Sequence, residues 1–190
     1  MSRFGQDLRR WKVEEVRPRD GVPIAVGLSA RDVLVLLWRH PALWATMLYR
    51  MAHWCTVHRV RVVPSLLEKL NLLLFGLQIT SSMPVGPGLY IAHPSGMVIV
   101  ARRIGANASL IHACTLGMRD THDFPELGDG ILVGAGARVL GGVVLGDGCS
   151  VGANAVVIRD VPAGATAVGV PARIVGGRRE SVQEDWVTVR

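Results

Sequence analysis

Six histidines are spread along the 190 residues, and three of them, His93, His112 and His122, fall within one 30-residue stretch. His93 sits in GLYIAHPSGMVIV, where Ala92, Pro94, Ser95 and Gly96 leave room around an imidazole. Because imidazole titrates near neutrality, such a ring can take a proton from an acceptor hydroxyl as a general base. A surface histidine at a turn is the alternative reading. Three imidazoles and a water also make a catalytic zinc site, although no H-x-H or H-x3-H spacing groups these three. His40, His53 and His58 lie in a helical stretch and read as structural or solvated. The three cysteines, Cys55, Cys114 and Cys149, include no CxxC, and two fall at core-phase positions. They read as small apolar fillers of a reducing compartment rather than as activated nucleophiles.

The element that must position these histidines is written in a period of six. In LGDGIL-VGAGAR-VLGGVV-LGDGCS-VGANAV-VIRDVP the residues Leu127, Val133, Val139, Leu145, Val151 and Val157 each open a unit. Ile131, Ala137, Val143, Cys149, Ala155 and Val161 form a second apolar series. A helix face needs a period near 3.6 and a half-buried strand a period of 2. Six suits a coil of three sides that returns to the same inward position on each side, the signature of a parallel β-helix. Val85, Ile91, Met97, Ile104, Leu110 and Leu116 are in phase with it, and the step of seven from Met97 to Ile104 predicts one extra residue there. Between Leu116 and Leu127 the register pauses around MRDTHDFPE, which predicts an extruded loop, a place where sites are built on a rigid stack.

Ahead of the coils the pattern is helical. Ser29-Ala-Arg-Asp32 fits a capping box with Asp in the fourth place. Pro41 opens a second helix whose Leu43, Met47, Met51 and Trp54 share one face. Pro64 is a break after which Ser65 caps a third helix, ended by Gly76. The chain therefore divides into a basic flexible arm (1–28), an α-helical segment (29–78), a β-helix (79–177) closed by VPAGATAVGVPARIVG, and a C-terminal tail (178–190). The fold class is mainly β: a parallel β-helix behind an N-terminal α-helical segment.

The chain is 49% hydrophobic with a net charge of +6, which supports a sizeable core and excludes wholesale disorder. Basic residues gather at the two ends, among them Arg3, Arg9, Arg10 and Lys12, without interleaved aromatics. That argues against a nucleic-acid groove and leaves a solvated face or a site for a phosphate-rich small ligand. The apolar runs are too short for a membrane span, and no secretory leader is visible, so a cytoplasmic protein is expected.

IGANASLIHACTLG, the run from Ile131 to Gly176, LYRMAHW and PVGPGLYIAHPSGMVIV together resemble the hexapeptide-repeat serine acetyltransferases and their polysaccharide-modifying relatives, over residues 30–177. The resemblance implies a left-handed β-helix, a homotrimer that can double to a hexamer, and an active site between neighbouring chains. It implies acetyl-CoA as co-substrate, with no metal, and direct transfer to a hydroxyl acceptor with His93 as base. Arg173 in GVPAR matches a position for a CoA phosphate, and Gly134, Gly136 and Ala153 match small positions along the pantetheine slot. Departures mark the acceptor side. The carboxylate that orients the family's catalytic His is matched by Gln78, leaving Asp120, Asp123 or Glu126 as other candidates. The acid before that His is matched by Ala92, and the Arg-His pair of the loop falls at Asp123 and Phe124. These residues, with His112, form the expected acceptor side. The reading is an acetyl-CoA-dependent O-acetyltransferase acting on a saccharide or specialised metabolite. Serine O-acetyltransfer is its nearest alternative. A non-catalytic trimeric scaffold and a zinc-dependent hydratase are alternatives of another class.

Overall fold

The computed structural model describes residues 2–16, 27–120 and 122–177. The expected tail (178–190) and residues 17–26 of the expected arm lie outside the described residues. The rest of that arm is not loose: Arg3–Val16 forms helix α1, with Leu8 and Trp11 buried. Its apolar residues Phe4, Leu8 and Trp11 recur at helical spacing and pack with Leu36 and Leu43 of the following helices.

Helix α2 (Ala30–Arg39) begins at the expected capping box: Ser29 Oγ accepts from Asp32 N, and Asp32 accepts from Ser29 N. The Lys12 ammonium, 2.7 Å from Asp32, and then Ser29 hold the Asp32 carboxyl well below the usual carboxylate range. Helix α3 (Pro41–Val57) starts at Pro41 as expected, but its buried side differs from the reading. Leu43 is buried, whereas Met51 and Trp54 are 48% and 59% exposed. Ala42, Ala45, Thr46, Tyr49 and Ala52 face inward instead; Ala45 and Tyr49 join the core of the coils, where Tyr49 Oη donates to Met83 O at 2.6 Å. Helix α4 (Val63–Phe75) starts before Ser65, with Pro64 in its first turn, where a missing N–H costs nothing. Gly76, at φ 65°, ends it as expected.

The coils that follow have three faces. The first is a five-stranded parallel sheet of Leu77–Ile79, Met97–Ile99, Thr115–Gly117, Arg138–Leu140 and Val156–Val157. The second joins Arg103–Ile104, Glu126–Leu127 and Val144–Leu145, with bridges at Val85 and Val161. The third stacks Tyr90–Ile91, Ser109–Leu110, Leu132–Val133, Ser150–Val151 and Ala165–Val168, and ends on an antiparallel strand, Arg173–Gly177. This is a left-handed parallel β-helix of about five turns behind N-terminal helices. Every inward residue of both hexapeptide series is buried. The one-sided repeat thus becomes a continuous core that no single coil could bury.

The irregularity lies elsewhere than the sequence suggested. Leu77 pairs with Met97, Ile79 with Ile99, and Ile99 with Leu116. Met97 therefore belongs to the second inward series, and Ile99 is the true column residue. Eight residues separate Ile91 from Ile99, whereas six separate Leu110 from Leu116. The coil carries two extra residues at the corner that holds His93 and is one residue short between Ile99 and Ile104.

Candidate active site

His93 stands at the corner where the third face turns into the first. Ala92 N, just before it, is tied to Leu110 O of the next coil at 3.1 Å, and Ser95 O, just after it, accepts from Ala113 N at 3.3 Å. The corner is pinned on both sides, so its surplus length bulges outward and leaves the imidazole exposed. The ring makes no hydrogen bond with any described residue. His112 is one coil below, and the two ring centroids are 6.2 Å apart in an edge-to-face arrangement. By pairing, His112 lies beneath Ser95 rather than beneath His93 itself, and the bulge brings the rings together. No group of three metal-ligating side chains includes them among the described residues.

Below His112 the same corner is stripped of bulk. Gly136 N donates to His112 O at 3.0 Å and Asn154 N to Ala135 O at 2.8 Å, which places Ala135 and Ala153 in line beneath the imidazole. Gly136 has φ 67°, and a Cβ there would lie 2.1 Å from Asn154 Oδ1. A Cβ on Gly134 would meet Ala153 N at 2.7 Å. Coil stacking alone accounts for glycine at both positions. Arg173 is exposed on the closing strand, at the far end of the third face. Five strand spacings separate the His93 coil from that strand, on the order of 24 Å, so only a long, extended ligand could join the two.

Gln78 projects outward from the first face, exposed, and shares no hydrogen bond with His93. The acids considered in its place are all engaged by arginine. Asp120 pairs with Arg119 at 2.7 Å, Asp123 with Arg102 at 2.7 Å and Glu126 with Arg103 at 2.6 Å. Asp123 also packs over Gly142, which holds this part of the loop against the coil. Phe124 is half-buried. That loop leaves the stack between the first and second faces, whereas His93 stands between the third and first. Within one chain the structure does not bring Asp123 and Phe124 to the histidine. It brings together Ala92, His93 and His112.

Two features escaped the sequence reading. Arg138, outward on the first face, donates to Thr115 Oγ1 and, at 3.3 Å, to Ala113 O, placing a guanidinium beside the backbone that follows His112. The outward position of a hexapeptide unit was its only signal. Buried Arg50 holds buried Asp7 with two hydrogen bonds, of 2.9 and 3.0 Å, and donates to Val85 O and Gly86 O of the first coil. Asp7 also accepts from Leu89 N at 2.8 Å, so α1, α3 and the coil that leads into the His93 corner are clamped at one point. The thiols take no such part. Burial pushes Cys114 up to about 12 and Cys149 up to about 11, leaving neither as a thiolate at neutral pH.

A family model, the bacterial transferase hexapeptide (six repeats), matches residues 124–159. The serine acetyltransferase of Synechococcus elongatus is 38% identical over 151 residues, covering 77% of this chain and 62% of that protein. The chain spans about half, 47% and 49%, of two plant relatives it matches. The serine acetyltransferase of Helicobacter pylori strain J99 is 37% identical over 153 residues, covering 77% of this chain and 88% of its own length. A solved serine acetyltransferase in complex with CoA superposes with a TM-score of 0.75 and 30% identity over 91% of this chain and 68% of that one. A match running through the helices and the coils alike, over nearly the whole of one relative, exceeds a shared repeat: the chain belongs to the serine acetyltransferase family.

Proposed function

We propose that this protein is an O-acetyltransferase that uses acetyl-CoA, with His93 as general base. The widened corner carries this reading: it presents an exposed imidazole, with no hydrogen bond to any described residue, above a column of small residues, Ala135 and Ala153. Family membership and the CoA complex of a relative support the same donor. The hydroxyl oxygen of the acceptor attacks the thioester carbonyl carbon while His93 takes its proton. Collapse of the tetrahedral intermediate releases CoA thiolate, which takes the proton back. Ala135 and Ala153 leave room for the pantetheine arm, and Arg173 offers a guanidinium to a phosphate. Because the loop of residues 118–125 and His93 occupy different corners, we place the complete site between protomers of a homotrimer.

Serine is the acceptor that the names of the relatives support. A saccharide or other hydroxyl compound is the second reading. It rests on Ala92, Asp123 and Phe124, which offer no cation to an amino-acid carboxylate where the family resemblance implies one. Release of CoA measured with serine, homoserine and a panel of saccharides tests both. Turnover with serine above every saccharide supports the first reading; turnover with a saccharide alone replaces it with the second. No CoA release with any acceptor, and no rise in melting temperature with CoA, would remove the proposal.

A further inference from the structure

Helix α4 is amphipathic in the reverse of the usual sense. Its polar residues face the protein: buried Asn71 donates to Ala45 O of α3 at 3.0 Å, and Glu68 accepts from Ser81 N of the first coil at 2.6 Å. Its apolar residues face out. Val62 at the N-cap, Leu66, Leu70 and Leu73 recur at spacings of four, four and three, so they share one side of the helix. They are 76%, 62%, 37% and 81% exposed. A continuous apolar stripe of this kind marks a surface made for contact.

The charge around the stripe has one sign. Arg59 and Arg61, in the turn between α3 and α4, and Lys69, within α4, are exposed, and none of their side chains bonds or pairs with a described residue. The two acids of residues 27–77 are engaged, Asp32 by Lys12 and Glu68 by Ser81 N. That stretch holds six basic residues against two acidic ones, whereas residues 78–177 hold six of each. A second copy of the chain laid on α4 would set the same cations against one another. An anionic lipid surface meets both features at once, because it takes leucines into its acyl boundary and draws cations to its headgroups. The helix has 13 residues, too few to cross a bilayer, so it must lie along one. We propose that α4 docks in the plane of an anionic bilayer surface, with Leu66, Leu70 and Leu73 in the acyl boundary and Arg59, Arg61 and Lys69 reaching up to the headgroups. The proposal does not rest on the transfer reaction, because it concerns a different surface and is tested by binding alone.

Co-sedimentation of the full chain with vesicles is the experiment, using phosphatidylcholine alone and an equal mixture of phosphatidylcholine and phosphatidylglycerol. The parent pellets with the mixed vesicles at low salt, much less at high salt, and not with phosphatidylcholine alone. The double variant Leu66→Gln/Leu73→Gln partitions about tenfold more weakly or less still, and Arg61→Glu several-fold more weakly. All three substituted side chains are exposed, so both variants keep the parent's melting temperature. Sedimentation without vesicles gives the same mass for the parent and the double variant. The inference is overturned if the parent ignores the mixed vesicles, if it binds phosphatidylcholine alone equally well, or if the double variant binds as tightly as the parent. A smaller mass for the double variant also overturns it, since the stripe would then be covered by a second copy.

Discussion

At the scale of the residue, His93 carries the proposed chemistry and very little of the structure. Its ring is exposed and bonded to nothing described, so His93→Ala should keep the parent's melting temperature and its CoA affinity. Turnover should fall about 10²–10⁴-fold, the usual cost of a lost general base, as read by CoA release. The thiols should behave in the opposite way. Cys114 and Cys149 are sealed and held protonated by burial, so iodoacetamide at neutral pH should label only half-buried Cys55, as mass spectrometry would show. The sequence singled out His93 through its small neighbours and resemblance. It could not reveal that Asp120, Asp123 and Glu126 are each taken by an arginine, because ion pairs across coils depend on register rather than on spacing.

The helices and corners carry stability. Asp7 and Arg50 illustrate how a pair distant in sequence fixes the seat of the first coil. Removing either partner leaves the other charge buried and alone. Asp7→Ala should therefore cost about 3–5 kcal/mol in chemical denaturation, and the double variant Asp7→Ala/Arg50→Met much less than the sum of the two singles. The Asp32 carboxylate at the head of α2 has a definite sign. Its folded value is depressed, so the contribution is fully present above the ordinary value of 3.8 and is lost as pH falls below it. The melting-temperature gap between the parent and Asp32→Asn should accordingly close under acid. Much of this level was readable: the capping box, Pro41 and the Gly76 stop are local chemistry. Helix α1 was missed because its many charges masked the spacing of Phe4, Leu8 and Trp11. The displaced insertion was misplaced for a related reason. Met97 and Ile99 are both buried apolar residues, and only strand pairing tells which one is in the column.

For the whole molecule, the hexapeptide columns were legible almost residue by residue, since each inward position repeats the same burial. How chains associate is not written in that period. The separation of His93 from the 118–125 loop predicts that activity needs more than one protomer. Mixing inactive His93→Ala with an inactive variant of the loop, Phe124→Arg, should restore part of the CoA-release rate as mixed oligomers form. No recovery after verified subunit exchange would place both parts of the site in one chain. The far end of the stack carries a separate consequence. There the strand of residues 173–177 runs backwards along Ala165–Val168, where another parallel rung would otherwise have joined. A rod of identical rungs is an open template for end-to-end fibre growth, and a reversed last rung presents the wrong polarity to an incoming copy. The turn at GVPAR thus acts as a chain terminator for the solenoid along its third side, keeping a potentially endless architecture discrete.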